Sequence, residues 1–422
     1  MDSKNKSLYL YYLILLVMML LRTSTEAPNI ILRLSYLSLF LIPLFFIDKR
    51  YFPPILICFM AVGTYGFAFN YLPYEMAVYF VITLMFVFIR RIRIIKSQIS
   101  VIFILTLLFA LFRNIIDSYS PQNIFYCIAI IGMFSLIIDR DYQKTQYYML
   151  LAFIIASISL SLLYIFNYND FVVDYDASKG LERSGWIDPN YFSCVLGMGS
   201  LSSFILLLKY PKIGIIIRLV LIITIILPFV ALVMTASRGG ALAIFLGFST
   251  LLLFSKIKFT TKLFFVCSLI CLVSWMYING YFQLLEYRIQ NDGGGGSGRF
   301  DIWINKLRVF YTQGNIFYWI FGYGYQSGFE LSGARGVVAF HNDFVAILCE
   351  YGILGLLVYF YWIIYPLAHV ANKNRAIVYA MMSYLFVVCV TLEPISSGAL
   401  VYFAFYYLII LIAKEGSYSK DI

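Results

Sequence analysis

The sequence predicts an all-α membrane protein, a polytopic bundle of about 12–14 transmembrane helices, with residues 1–422 forming one integral membrane domain. Of the 422 residues, 62% are hydrophobic and only 12% are charged, and the mean hydropathy is +0.86. A soluble core cannot bury so much apolar surface, so long apolar segments must face lipid and satisfy their backbone hydrogen bonds within helices. The apolar residues also form near-continuous blocks, unlike the short alternating strands of a membrane β-barrel.

The apolar blocks predict fourteen spans. They lie near residues 8–21, 30–47, 53–69, 74–89, 99–113, 122–138, 146–166, 191–208, 213–233, 240–254, 262–280, 343–365, 376–390 and 398–413. Several are short for a hydrocarbon core of about 30 Å, which allows one or two to be tilted, re-entrant or not true spans. The first block lacks a convincing cleavage site, so we expect a retained first helix. The seven cysteines all lie in or beside the blocks, so neither a disulfide framework nor a metal site is predicted.

Basic residues predict the orientation of these spans. Alternate connections and the two termini hold 19 of the 31 Lys and Arg residues, mostly in very short loops. The opposite connections hold 10, spread over much longer loops. The positive-inside rule therefore places both termini in the cytoplasm. The net charge of +10 is then explained by topology and anionic lipid, and no nucleic-acid partner is expected.

This orientation places the polar material of the chain outside the cell or in the periplasm. The large loop 281–342 and a second loop, 167–190, are both predicted to be outer loops, with Gly294 and His341 outside and Arg93 inside. The cytoplasmic loops are too short for a nucleotide-binding domain, and the chain has no phosphate-binding glycine motif. Any chemistry must therefore use a substrate that is already activated at the outer face, for which lipid-linked phosphates are the obvious candidates.

Two outer stretches place an arginine close to the start of a span. In LERSGWIDPNYF (181–192), Arg183 could bind phosphate or a sugar acid and Trp186 could stack on a sugar ring, or the stretch is an interfacial aromatic belt. In TASRGG (235–240), Arg238 lies at a helix start, where its guanidinium and nearby backbone N–H groups suit bidentate phosphate binding. An arginine that snorkels to the interface is the alternative interpretation of Arg238.

The large outer loop and the block after it add further signals. Four basic and aromatic residues of the loop are typical of a short amphipathic helix lying on the membrane; they are Arg299, Trp303, Lys306 and Arg308. GYGYQSG (322–328) is typical of a carbohydrate-facing turn. His341 is the first of only two histidines and precedes a long apolar block. It is either a buried structural donor or, beside phosphate-binding arginines, a base that accepts a proton from an attacking sugar hydroxyl.

Taken in order, these motifs resemble the signature of O-antigen ligases and the related Wzy-type O-antigen and capsule polymerases. The matching motifs are His341-Asn342 followed after nine residues by Gly352-Ile-Leu-Gly355, Ser237-Arg238-Gly239-Gly240 at a helix start, Arg299 with Trp303, and Arg183 with Gly185 and Asp188-Pro-Asn190. The resemblance covers roughly residues 180–365, and the N-terminal half shows no motif of this family.

The resemblance implies a GT-C-like glycosyltransferase in the bacterial inner membrane, with its active site facing the periplasm. Its donor would be an undecaprenyl-pyrophosphate-linked oligosaccharide, and transfer would invert the anomeric carbon without a metal or other cofactor. The implied catalytic residues are His341 and Arg238, and the implied substrate-binding residues are Arg183, Arg299, Asn190, Trp303 and Asn342. Membrane lipid, a chain-length regulator and a flippase are candidate partners.

Four interpretations of the function remain open. A polymerase transfers the glycan to another lipid-linked repeat unit, whereas a ligase transfers it to the lipid A core. The additional spans, the unmatched N-terminal half and the His341-Asn342-Asp343 sequence favour the polymerase. A polysaccharide flippase would carry ionisable residues near the membrane midplane, where this sequence has few, and a non-enzymatic scaffold would not need the outer arginines and histidine.

Overall fold

A computed structural model describes residues 6–20, 38, 54–55, 57–58, 60–62, 146–166, 188–210, 214–291, 298–324, 327, 331, 339–394 and 400–415. This part of the chain is helical and contains no β-strand. The helices of its first half are α1 (Lys6–Leu20), α2 (Gln146–Phe166), α3 (Pro189–Lys209), α4 (Ile215–Met234), α5 (Arg238–Phe254), α6 (Phe259–Ile278) and α7 (Gln283–Asn291). The others are α8 (Arg299–Gln313), α9 (Ile316–Phe321), α10 (Asp343–Ala368), α11 (Arg375–Thr391) and α12 (Leu400–Lys414), with a 3-10 turn at Asn372–Asn374.

Six of the described helices are long and apolar enough to cross a membrane. They are α2, α3, α4, α6, α10 (counted across its break at Gly352) and α11 with its preceding 3-10 turn. This finding confirms the predicted polytopic helical bundle. Where a described helix corresponds to a predicted span, its bounds differ from the prediction by three residues or fewer. The predicted spans 74–89, 99–113 and 122–138 lie outside the described residues, as do 30–47 except residue 38, and most of 53–69.

The chain divides into two compact units. The first comprises residues 1–72, 142–290 and 379–384, and the second comprises residues 73–141, 291–378 and 385–422. In the first unit, small polar residues let α2, α3 and α4 approach one another closely. Ser157 Oγ donates to the carbonyl oxygen of Leu196 (2.9 Å), and a Cβ atom on Gly199 would lie only 2.1 Å from the Ser157 Cβ. Such close contacts and interhelical hydrogen bonds hold helices together where lipid provides no hydrophobic driving force.

Side-chain contacts show which ends of α2, α3 and α4 lie together. The Tyr164 ring, near the end of α2, lies 5.3 Å from that of Phe192 at the start of α3. The Tyr164 hydroxyl donates to the carbonyl oxygen of Met234 at the end of α4 (3.4 Å). At the other end, Lys209 Nζ donates to Gln146 Oε1 (2.8 Å). The end of α2, the start of α3 and the end of α4 therefore lie together at one end of these helices. The basic end of α3 and the start of α2 lie together at the other end.

In the second unit, α10 is broken at Gly352, which has a left-handed backbone (φ 68°, ψ −167°). Asp343 and Tyr359 are sixteen residues apart, and a straight helix would separate them by about 24 Å. Nevertheless, the Tyr359 hydroxyl donates to Asp343 Oδ2 (3.3 Å), and the Phe344 and Tyr359 ring centroids are 5.3 Å apart. Residues 353–368 therefore fold back along residues 343–351, so the span predicted near 343–365 is not one continuous helix.

The break in α10 frees carbonyl groups, and a neighbouring turn binds them. The backbone N–H of Tyr323 donates to the carbonyl oxygen of Cys349 (2.8 Å), and that of Gly324 donates to the carbonyl oxygen of Glu350 (2.9 Å). An irregular backbone inside an apolar segment is tolerated where protein satisfies its polar groups in this way. The glycine-rich turn noted in the sequence thus completes the hydrogen bonding of α10.

Two glycines allow this turn to reach the break. A Cβ atom on Gly352 would lie 2.3 Å from the carbonyl oxygen of Ile320, and one on Gly322 would lie 2.3 Å from the carbonyl oxygen of Glu350. Both glycines also have positive φ, 78° at Gly322 and 68° at Gly352. Backbone conformation and close approach therefore both require glycine at these two positions.

We predict that Gly352→Ala destabilises the protein more than Gly298→Ala. Both glycines have positive φ, and Gly298 has open space around its Cα. Gly298→Ala should therefore cost only the left-handed backbone penalty of about 1–2 kcal/mol. Gly352→Ala adds the collision with α9, a further cost of about 1–3 kcal/mol. Thermal unfolding of the detergent-solubilised proteins measures the difference, and equal losses would contradict the close contact at Gly352.

Candidate active site

In the first unit, the start of α5 is tied to the start of α3. Ser237 caps α5 by accepting from the Gly240 N–H (3.3 Å), and its hydroxyl donates to Asn190 Oδ1 (3.2 Å). Asp188 caps α3 by accepting from the backbone N–H groups of Asn190 (2.8 Å) and Tyr191 (3.3 Å). Two helix N-termini therefore meet here, and each contributes positive electrostatic potential.

Arg238 is the first residue of α5 and lies half-buried at this junction. Two residues earlier, Ala236 has a left-handed backbone (φ 51°) that turns the chain from α4 into α5. Gly240 brings the helices close, since a Cβ atom there would lie 2.3 Å from Ser193 Oγ. The Ser-Arg-Gly-Gly sequence thus places a guanidinium at a helix N-terminus, an arrangement that favours an anion.

In the second unit, residues 340–343 lead into α10 in a conformation fixed by hydrogen bonds. His341 has a left-handed backbone (φ 54°), which is uncommon for a residue with a side chain. Asn342 caps α10, with its Oδ1 accepting from two backbone N–H groups at 2.9 and 3.2 Å. The backbone N–H of Asp343 donates to the carbonyl oxygen of Leu392, just after α11 (3.0 Å).

Two side chains of α8 hold that helix against the same region. Arg299 Nη1 donates to the carbonyl oxygen of Thr391, the last residue of α11 (2.6 Å). Trp303 Nε1 donates to the carbonyl oxygen of Phe340, immediately before His341 (2.8 Å). Trp303, a predicted substrate-binding residue, therefore fixes the backbone that carries the histidine.

The Glu393 carboxylate binds two successive backbone N–H groups, those of Phe340 and His341. Its Oε2 accepts from the Phe340 N–H (2.7 Å), and the carboxylate also accepts from the His341 N–H. Lys306 Nζ is buried 4.2 Å from the centroid of the Phe340 ring. Burial raises the pKa of Glu393 to about 7, although the two N–H donors and Lys306 favour its charged form. Burial also lowers the pKa of Lys306, and the charge of Glu393 opposes that shift.

The structure places the predicted site residues in two groups. In the first unit, Asn190 is bonded to the residue that precedes Arg238. In the second unit, hydrogen bonds join Arg299, Trp303 and His341 through positions 340, 391 and 393, and Asn342 follows His341 directly in the chain. Arg183 lies outside the described residues. The roles of all seven residues in binding or catalysis stay predictions.

Glu393 was not identified from the sequence. The available signal was an acidic residue followed by proline in the short connection between two apolar blocks. A single carboxylate in a short connection forms no recognisable spacing pattern with other residues. The contact with His341 joins residues more than fifty positions apart, so local spacing could not predict it.

The two groups of residues can perform different chemical tasks. A guanidinium at a helix N-terminus binds an anionic group, with bidentate geometry available to phosphate oxygens. An imidazole held by a fixed backbone can accept a proton near neutral pH. These are the two tasks that the predicted roles of Arg238 and His341 require.

We predict that Glu393→Gln makes thermal stability less dependent on pH. Burial raises the pKa of Glu393 from its ordinary value of 4.5 to about 7, so the folded protein binds more protons than the unfolded chain between these values. The free energy of unfolding must then fall as pH rises from about 4.5 to about 7, and the glutamine variant should lose this component. Melting temperatures at pH 5 and pH 8 test this, with Asp301→Asn on the exposed face of α8 as the control. An unchanged pH dependence in Glu393→Gln would contradict the buried, titrating carboxyl.

Comparison with known families identifies one segment of the chain. Residues 223–360 match the family model Wzy_C, described as O-antigen ligase. The segment extends from α4 to the folded-back limb of α10 and includes Arg238, Arg299, Trp303, His341 and Asn342. No curated protein matches the chain significantly.

Over these residues, about a third of the chain, the membrane protein is similar to O-antigen ligases, which supports the resemblance to the superfamily of O-antigen ligases and Wzy-type O-antigen polymerases.

Proposed function

We propose that the protein is an O-antigen or capsular polysaccharide polymerase. It transfers an undecaprenyl-pyrophosphate-linked glycan onto a lipid-linked repeat unit at the outer face of the bacterial inner membrane. The observation that carries this proposal is the O-antigen ligase family match over residues 223–360, which contains Arg238 at a helix start and His341 on a fixed backbone. The family implies lipid-linked oligosaccharide substrates in general.

Arg238 binds the pyrophosphate of the donor in this proposal. When the bond between the anomeric carbon and the pyrophosphate oxygen breaks, its electron pair leaves with undecaprenyl pyrophosphate. A preorganised guanidinium stabilises that developing charge more than it stabilises the ground state, which lowers the barrier. Arg183 and Arg299 are further candidate cations for the donor, and Asn190 is a candidate polar contact. Fixed arginine charges make a metal ion unnecessary in this mechanism.

His341 activates the acceptor. Its imidazole accepts the proton of an acceptor hydroxyl while the oxygen attacks the anomeric carbon from the face opposite the pyrophosphate. A single in-line displacement of this kind inverts the anomeric configuration. Trp303 and Asn342 are candidate contacts for the sugar, and Glu393 acts on His341 only through the backbone, as a positioning residue.

The location of the protein follows from the basic-residue pattern. We propose that both termini lie in the cytoplasm and that the large loop 281–342 and the loop 167–190 lie outside, so that the active site faces the periplasm. A flippase that supplies the lipid-linked unit and a chain-length regulator are the proposed protein partners.

A ligase is the second candidate, because the matching family model is itself described as O-antigen ligase. A ligase would use the same donor, the same arginines and the same histidine. It would differ only in the acceptor, which would be a sugar of the lipid A core. The two activities are therefore distinguished by products, not by the donor-binding residues.

We predict that Arg238→Lys loses most of the activity although the charge is kept. Lysine cannot make the paired hydrogen bonds of a guanidinium, and each charge-assisted bond contributes about 1.5–3 kcal/mol, so the rate should fall roughly tenfold to a hundredfold. Transfer by purified protein from a lipid-linked repeat unit, without ATP, measures the rate. Arg218→Lys, on the exposed surface of α4, is the matched control and should be nearly silent. Full activity of Arg238→Lys at normal protein levels would reject the role in phosphate binding.

We also predict the surface glycan of two mutant strains. Deletion of the gene should leave glycan with a single repeat unit, and His341→Ala should reproduce this pattern because the acceptor is no longer deprotonated. His369→Ala changes the only other histidine, an exposed residue at the end of α10, and should keep the wild-type ladder. If surface-attached glycan disappears and long polymer accumulates on undecaprenyl pyrophosphate, the protein is the ligase.

A further inference from the structure

The helix α8 has three different faces, and one of them is exposed and apolar. At about 100° per residue, three large side chains fall on a single narrow row along the helix. They are Phe300, Ile304 and Tyr311, which are 58%, 53% and 55% exposed. Large apolar side chains in a continuous exposed row usually mark a surface that contacts another apolar phase.

The other two faces of α8 are polar and protein-facing. The polar face is solvent-exposed and comprises Asp301, Asn305, Arg308 and Thr312. The third face consists of Trp303, Lys306 and Phe310 and packs against the rest of the second unit. Lys306 and Phe310 are buried there. A helix in water needs only a buried and a polar face, so the separate apolar row requires a further partner.

The apolar row continues onto α9. Four residues of this short helix are large, apolar and exposed, namely Ile316, Phe317, Trp319 and Ile320. The Tyr311 and Trp319 rings lie 6.5 Å apart, so the row of α8 and the surface of α9 adjoin. Tyrosine and tryptophan are the residues enriched at the boundary between lipid and water.

The level of α8 along the spans identifies the partner. Arg299, the first residue of α8, is bonded to Thr391, the last residue of α11. The opposite end of α11 begins with Arg375 after Lys373, the basic end that the positive-inside rule assigns to the cytoplasm. The start of α8 therefore lies where a span leaves the membrane on the outer side, at the level of the outer lipid leaflet.

We propose that α8 and α9 lie in the outer leaflet, with Phe300, Ile304, Tyr311 and Phe317 against lipid acyl chains and the Asp301–Arg308 face towards water. The sequence predicted a short amphipathic helix lying on the membrane from Arg299, Trp303, Lys306 and Arg308, and did not assign the face that meets lipid. The structure turns Trp303 and Lys306 towards the protein, which leaves a different row for lipid. Lipid on one face and protein on another fix both the depth and the rotation of α8.

If the proposed function holds, this docking also positions two predicted substrate-binding side chains relative to the donor. Arg299 and Trp303 project from α8 to the backbone at 391 and 340. A lipid-linked donor has its pyrophosphate at the depth where the membrane ends. Docking α8 in the leaflet therefore sets these two side chains at a constant depth relative to that group.

Site-directed fluorescence tests the docking without any measurement of activity. The full-length protein, with its native cysteines replaced, receives one cysteine by Ile304→Cys, Tyr311→Cys or Phe317→Cys and is labelled with an environment-sensitive dye. Asn305→Cys and Arg308→Cys are the matched controls on the polar face of α8. The labelled proteins are placed in phosphatidylcholine and phosphatidylglycerol vesicles containing lipids with a spin label on the acyl chain.

Dye at positions 304, 311 and 317 should be quenched by the spin-labelled lipids and protected from aqueous iodide. Dye at positions 305 and 308 should show the reverse. Iodide quenching at 304 and 311 would overturn the proposal, and protection there from both quenchers would show that protein covers the row, which would overturn it equally. Position 317 reports on the same surface if a change in α8 prevents folding. Lipid quenching at 304 together with full activity in Ile304→Asp would leave the docking intact and reject only its role in the proposed function.

Discussion

The second unit depends on three consecutive residues at the end of α11. The carbonyl oxygen of Thr391 accepts from Arg299 of α8, and that of Leu392 accepts from the N–H of Asp343 at the start of α10. The Glu393 carboxylate accepts from the N–H groups of Phe340 and His341. Elements that are distant in the sequence are thus fixed to one short segment. Because each contact uses a different group of that segment, a shift of one residue would misplace α8, the histidine and α10 together. The position of His341 is consequently set by the end of α11 more than by its own helix.

The break in α10 allows a buried carboxylate and freed backbone carbonyl groups to be hydrogen-bonded within an apolar segment. Folding back at Gly352 brings Tyr359 to the Asp343 carboxylate, which is fully buried. A buried carboxylate without such a partner would cost several kcal/mol, of the order estimated for unpaired charges in protein interiors. The break also exposes carbonyl groups of residues 349 and 350, and the turn at 322–324 binds them. Gly352, the first residue of the motif Gly352-Ile-Leu-Gly355, is therefore a structural requirement for the segment that follows the histidine.

Much of the fold was predictable from the sequence because apolar blocks of span length leave few alternatives to a helix. For the same reason α2 was predicted with its observed bounds, and Ser237 and Arg238 were correctly placed at a helix start. The break at Gly352 was not predicted, since a glycine in an apolar block does not reveal its φ angle. Glu393 was not predicted because its partners are distant in the sequence. The orientation of α8 was not predicted either, because Lys306 is buried through contacts with Phe340 that spacing within the helix does not show.

Backbone strain marks both candidate groups. In the described part of the chain, Ala236 and His341 are the two residues other than glycine with positive φ, and each lies at the approach to a helix start. Such conformations cost about 1–3 kcal/mol and persist only where the surroundings fix them. At His341 the Glu393 carboxylate and the Asn342 cap fix the backbone, and at Ala236 the bonds of Thr235 and Ser237 do so. A merely structural turn could use glycine at no such cost. Strain two residues before Arg238 and at His341 itself is the arrangement expected if these residues have the roles proposed for them.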